Sequence, residues 1–125
     1  MIIGLGIDIS EIARMEAAIT RHGAHLIQRV FTPQEIEYCE WHMKKAERYA
    51  GRFAAKEAAM KALGTGWRRG VRWLDIEVSR PNDGRPVLAL HGVARDLALK
   101  MGVKNISLSI THSGNLAMAQ VIFEN

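Results

Sequence analysis

The sequence predicts an α+β fold in a single domain spanning residues 1–125. Apolar residues cluster or alternate with polar ones near both ends, as strands require, while from residue 11 to 63 they recur at helical spacing. Strand-like and helix-like stretches also fall in blocks instead of alternating strictly, which favours α+β over a parallel α/β sheet. At 125 residues and 48% apolar, the chain lies where one core supports one domain. It shows no repeat, low-complexity block or long linker, so disorder is not expected.

The opening residues 2 to 8 are apolar with two glycines and end in Asp8, which suits a buried strand whose last side chain emerges at an edge. Ser10 is placed to cap a helix in which Ile12, Met15, Ala18 and Ile19 share a face, with Gly23 as its stop. Thr32-Pro33-Gln34-Glu35 is a helix start: Thr32 caps, Pro33 fits the first turn and Glu35 completes a capping box. That helix should run to about Met43. A second begins near Ala46, carries Tyr49, Phe53, Met60 and Leu63 on one side, and ends at Gly64-Thr65-Gly66. Leu74 to Val78 alternates apolar and acidic residues as a half-buried strand, Asn82-Asp83-Gly84 turns the chain, and Arg85 to Leu90 returns. Gly92 to Lys100 reads as a helix with Val93, Leu97 and Met101 at compatible spacing and Gly102 as its stop. Ile106, Leu108 and Ile110 alternate with serine and threonine, Leu116 to Phe123 is a more buried strand, and His112 to Asn115 is the turn between them.

Charge is unevenly spread. From Lys44 to Arg72 there are nine Lys or Arg against Glu47 and Glu57, a net of +7 that leaves −3 for the rest of a chain totalling +4. Such a stretch points to a polyanion, either nucleic acid or a nucleotide with several phosphates. The N-terminus has no basic leader and no apolar run approaches a membrane span, so a soluble, cytoplasmic protein without a membrane partner is expected. Cys39 is the single cysteine, and its flanks Tyr38 and Glu40 offer no cation to stabilise a thiolate, which makes it structural.

Three segments offer groups suited to phosphates: Gly6-Ile7-Asp8-Ile9, the run Gly51 to Gly66, and Ser109-Ile110-Thr111-His112-Ser113. Asp8 and Glu57 are hard oxygen ligands, and two carboxylates suffice for Mg²⁺ when phosphate oxygens and waters complete its shell; Mn²⁺ suits the same donors. Read singly, Asp8 also fits a carboxylate at a helix N-terminus, and Glu57 an i,i+4 pair with Lys61. Lys61 lies one turn beyond Glu57 on the same face, where it can meet a metal-bound phosphate. Gly64-Thr65-Gly66 can bring backbone amides to a phosphate or simply end a helix, and it lacks the Walker pattern. Thr111, His112 and Ser113 form a cluster of donors at the end of a strand. His22, His25, His42 and His91 lack metal-ligand spacing and receive no role, and Trp67, Arg68 and Arg69 are assigned to a surface loop.

Together, Gly-Ile-Asp near the start, Arg52-Phe53-Ala54-Ala55-Lys56-Glu57-Ala58 in the middle and Ser109-Ile110-Thr111-His112-Ser113 near the end closely resemble the holo-acyl-carrier-protein synthase family of phosphopantetheinyl transferases, in order and along nearly the whole chain. The resemblance implies a phosphopantetheinyl transferase fold and transfer of 4′-phosphopantetheine from coenzyme A to a serine of an apo acyl carrier protein, in fatty acid biosynthesis. It implies that Asp8 and Glu57 hold the metal and, with Lys61, carry the catalysis. Lys61, Arg52, Gly64, Thr111 and His112 would line the coenzyme A site, and Lys44 and Arg48 would reach the 3′-phosphate. Carrier-protein contacts fall on the first helix, where Arg14 and Arg21 lie seven apart and share a side. The family is also typically a homotrimer with shared active sites.

The general base stays open among Glu57, a deprotonated Lys61 and a metal-bound water. Two rivals remain beside this reading. A nucleic-acid module would use the basic stretch, but zinc, zipper and ribonucleoprotein motifs are missing, so no nucleic-acid partner is expected. A metal-dependent hydrolase of coenzyme A would use the same carboxylates with water as the nucleophile.

Overall fold

A computed structural model describes residues 1–65 and 70–125 of the chain. The elements run β1 (Ile2–Glu11), α1 (Ile12–Val30), α2 (Pro33–Trp41), α3 (Lys45–Leu63), β2 (Ile76–Ser79), β3 (Val87–Leu90), α4 (Gly92–Met101), β4 (Asn105–Ser113) and β5 (Leu116–Glu124), an α+β order. One antiparallel sheet is ordered β1-β5-β4, and a separate hairpin pairs β2 with β3. Trp73–Asp75 forms a 3₁₀ turn ahead of β2, so the expected strand starts two residues late, at Ile76.

The central helix α3 lies across the larger sheet, its alanines Ala50, Ala54, Ala55, Ala58, Ala59 and Ala62 all buried. Small side chains on both partners set how closely it approaches. A Cβ on Gly6 would sit 1.8 Å from the Ala58 carbonyl oxygen, and one on Gly4 2.7 Å from that of Ala62. Toward the other edge, a Cβ on Gly51 would sit 3.0 Å from His112 Nε2. The helix thus crosses from β4 at its start to β1 at its end. The inward faces of the strands, including Ala117, Ala119, Val121 and Phe123 of β5, complete the core beneath it.

Several boundaries differ from expectation for local reasons. Ser10 caps nothing, because β1 stays paired with β5 through Glu11; the first amides of α1 instead donate across to Asn115, Ile12 to its carbonyl (2.8 Å) and Ala13 to its side-chain oxygen (2.9 Å). Gly23 breaks α1 without ending it: its backbone (φ 59°, ψ −139°) redirects the helix, which continues to Val30. In α2, the capping box of Thr32 and Glu35 is present, and the helix ends at Trp41, two residues short of Met43. Gly64 (φ 78°) and Gly102 (φ 88°) close α3 and α4 in left-handed conformations. The buried face of α4 is Ala94 and Ala98, while Val93 and Met101 are exposed. His112 belongs to β4, not to the turn; Ser113 pairs with Leu116, leaving the two-residue turn Gly114-Asn115.

Because the Gly6 contact is with backbone, it cannot be relieved by a rotamer change. Gly6→Ala should destabilise the fold by about 3 kcal/mol or more, as expected for overpacking. Urea unfolding checks this, with an unchanged stability relative to wild type counting against the close packing.

Candidate active site

Two residues after Gly6, Asp8 faces α3 near the edge of the sheet, and its side chain is only 16% exposed. Lys61 reaches over to it, with Nζ 3.1 Å from Asp8 Oδ1 and 2.9 Å from the Ile7 carbonyl. The i,i+4 alternative for Glu57 and Lys61 therefore gives way to a contact between α3 and β1. Asp8 and Glu57 line one cleft of about 510 Å³ with Arg14, over an apolar floor that includes Met15, Leu26, Phe31 and Phe53. Burial, and then the Asp8 charge, push the Glu57 carboxyl above its ordinary value, while Lys61 opposes the rise.

The two carboxylates share the one ammonium of Lys61, which sits on Asp8. Among the described residues no three His, Cys, Asp or Glu converge, so a cation here would draw its other ligands from substrate and water. Asp8 and Glu57 fit a Mg²⁺-type ion on that basis.

The other candidates occupy different places. Arg52 is 4% exposed, with its guanidinium 3.7 Å from the centroid of Tyr38, and lies between α3 and α2. Burial lowers its pKa. Its Nε and Nη2, together with Arg48 Nε and His112 Nε2, are buried nitrogens without a partner among the described residues. His112 faces inward beneath Gly51, whereas Thr111, one residue earlier, is exposed on the opposite face of the sheet. Lys44 precedes α3 and lines a second cavity of about 510 Å³ with Ile12, Ile19, Glu40 and Tyr49. Arg14 and Arg21 are exposed on α1 ahead of its break, and only Arg14 lines the Asp8 cleft. Gly66, Trp67, Arg68 and Arg69 lie outside the described residues. Cys39 is fully buried, and desolvation pushes its thiol up to about 12, consistent with a structural role.

One pair escaped the sequence reading. Lys56 and Glu35 are both completely buried side chains, with Nζ 2.7 Å from Oε1. A signal was present: Lys56 fills the gap in the stripe Tyr49, Phe53, Met60, Leu63, and a lysine on an apolar stripe needs a buried partner.

The chain belongs to the 4′-phosphopantetheinyl transferase superfamily, whose family model matches residues 4–121. It is 58% identical over 125 residues, all of both chains, to the holo-[acyl-carrier-protein] synthase of Solibacter usitatus (strain Ellin6076). Its fold is similar to the crystal structure of the holo-[acyl-carrier-protein] synthase of Neisseria meningitidis, with a TM-score of 0.89 and 32% identity over the full length of both. The Helicobacter pylori enzyme, solved in complex with coenzyme A, matches with a TM-score of 0.84 and 32% identity over 96% of this chain and 99% of that one.

The raised Glu57 pKa makes the folded protein bind a proton more readily than the unfolded chain. From about 4.5, the ordinary value, up through the folded pKa, rising pH therefore removes stability. Glu57→Gln should gain stability relative to wild type between pH 4 and pH 7, measured by chemical unfolding at both. A constant difference would contradict the assignment.

Proposed function

We propose that the cleft of Asp8, Glu57 and Lys61 is where this chain transfers 4′-phosphopantetheine from coenzyme A to a serine of an apo acyl carrier protein. The reaction comes with the family and its curated relatives. The observation that carries the site is the Lys61 ammonium held on Asp8 beside a Glu57 carboxyl whose pKa is raised by burial and then by the Asp8 charge. The serine oxygen bonds to the pantetheine-side phosphorus as its proton passes to solvent, the bridging P–O bond breaks with its electron pair going to the leaving phosphate, and adenosine 3′,5′-bisphosphate leaves. Asp8 and Glu57 would hold Mg²⁺ or Mn²⁺, which would supply charge stabilisation for the phosphoryl transfer. Lys61, 55% exposed, swings from Asp8 to the phosphates and holds them in line.

The unpartnered nitrogens of Arg48, Arg52 and His112 support a nucleotide site at the start of α3, where an anion would satisfy them, with Lys44 adding charge at the rim. Gly64, beyond Lys61, leaves open space where a side chain would stand. Arg14 at the cleft mouth, with Arg21 on the same helix, suits an acidic carrier protein.

The homotrimer is supported by the outer sheet face. Leu5, Ile7 and Ile9 are each more than half exposed there, beside Met118 and Ile122. An apolar face of this kind asks for a partner, and a second copy seated on it would bring Thr111 to a neighbouring subunit. No described helix is long and apolar enough to cross a membrane. A coenzyme A donor and a carrier-protein acceptor suit a cytoplasmic protein.

Intact mass spectrometry of an apo carrier protein with coenzyme A and Mg²⁺ tests the reaction. Wild type should add one phosphopantetheine, and Asp8→Ala or Glu57→Ala should slow this by about 10²-fold or more; coenzyme A breakdown without carrier modification would favour the hydrolase. Arg14→Glu should raise KM for the carrier about tenfold and leave KM for coenzyme A unchanged. Leu5→Glu should give a monomer by light scattering, and an unaltered mass would remove the outer sheet face from the assembly.

A further inference from the structure

Glu57 must be turned toward Asp8, and the turn of α3 about its own axis decides that. The residue before it, Lys56, is anchored on three sides: its Nζ donates to Glu35 Oε1 in α2, to the Trp73 carbonyl (3.0 Å) and to the Ile76 carbonyl at the start of β2. Glu35 is held in turn, its Oε1 accepting from the Thr32 amide (2.8 Å) and its Oε2 from the Val78 amide (2.8 Å). None of these atoms lines the Asp8 cleft.

We propose that Lys56 is a positioning residue for the metal site: its three-point anchorage fixes the rotation of α3 and so holds Glu57 opposite Asp8. This rests on the reading of Asp8 and Glu57 as metal ligands and adds the group that orients one of them. The Gly6 contact sets the distance between α3 and β1, and the Lys56 anchor sets the angle. Supporting groups of this kind tune metal affinity by about 10- to 100-fold when they orient a ligand.

The test separates positioning from stability by measuring melting temperature beside Mn²⁺ affinity, by titration calorimetry without carrier protein. Lys56→Met should lower both, because it strands the Glu35 carboxylate in the core. Adding Glu35→Gln to Lys56→Met removes that lone charge, so melting temperature should largely recover while Mn²⁺ binding stays about tenfold weak. Glu35→Gln alone leaves Lys56 on its two carbonyls and should keep Mn²⁺ affinity within about twofold of wild type at a reduced melting temperature. If affinity simply follows melting temperature across the three variants, Lys56 is only structural and the inference fails. If wild type binds no Mn²⁺ while Lys61→Ala and Asp8→Ala also change nothing, the metal reading itself falls and takes the inference with it.

Discussion

The close approach of α3 to β1 is the constraint from which the site follows. Helix and strand backbones meet with no side chain between them at Gly4 and Gly6, an arrangement open to glycine alone. Because strand side chains alternate and helical ones recur every third or fourth position, the same contact that seats Gly6 on Ala58 brings Asp8 under Lys61. Even an alanine two positions before the carboxylate would push strand and helix apart, since its Cβ would fall 1.8 Å from the Ala58 carbonyl oxygen. The glycine in Gly-Ile-Asp therefore belongs to the site as firmly as the aspartate does.

The basic stretch has a different physical meaning from the one its charge suggested. Arg52 and Lys56 contribute to its net charge but are buried, one over Tyr38 and the other against Glu35. Desolvation pulls both pKa values down, with Glu35 working against the shift at Lys56. Among the described residues, what reaches solvent is a weaker field, carried by Lys44, Lys45, Lys61, Arg72 and part of Arg48, and much of that is already matched by Glu40, Asp8 and Asp75. A continuous strip of positive surface, as nucleic acid would require, is not what α3 presents.

Much of this was legible because local rules and the fold agree. The Thr32–Glu35 box, the glycine stops after Leu63 and Met101, and the alternation in β4 each answer to chemistry within a few residues. The errors share one origin. Ser10, Gly23 and His112 carry signals that depend on their neighbours in sequence, whereas Asn115 caps α1 from a turn 103 residues beyond Ile12, and pairing with β5 keeps Ser10 and His112 in strands. The sheet also splits Thr111 from His112, adjacent residues that a period of two sends to opposite faces. Glu35 was visible as a cap, but its second partner lies on another helix, 21 positions away in sequence and out of reach of any local rule.

Lys56 and Lys61, little more than one turn apart on α3, show how burial divides identical chemistry. Each ammonium meets a carboxylate at a similar distance, 2.7 Å for Glu35 and 3.1 Å for Asp8. Breaking the first leaves a lone charge in a dry core, at a cost of about 3–5 kcal/mol. The second is half in water and worth about 1 kcal/mol or less. Lys56 is therefore committed to its partner for the life of the fold, while Lys61 can exchange a carboxylate for a phosphate at little cost. A transfer site needs both kinds: a fixed charge to hold the helix in register, and a loosely held one free to follow the substrate.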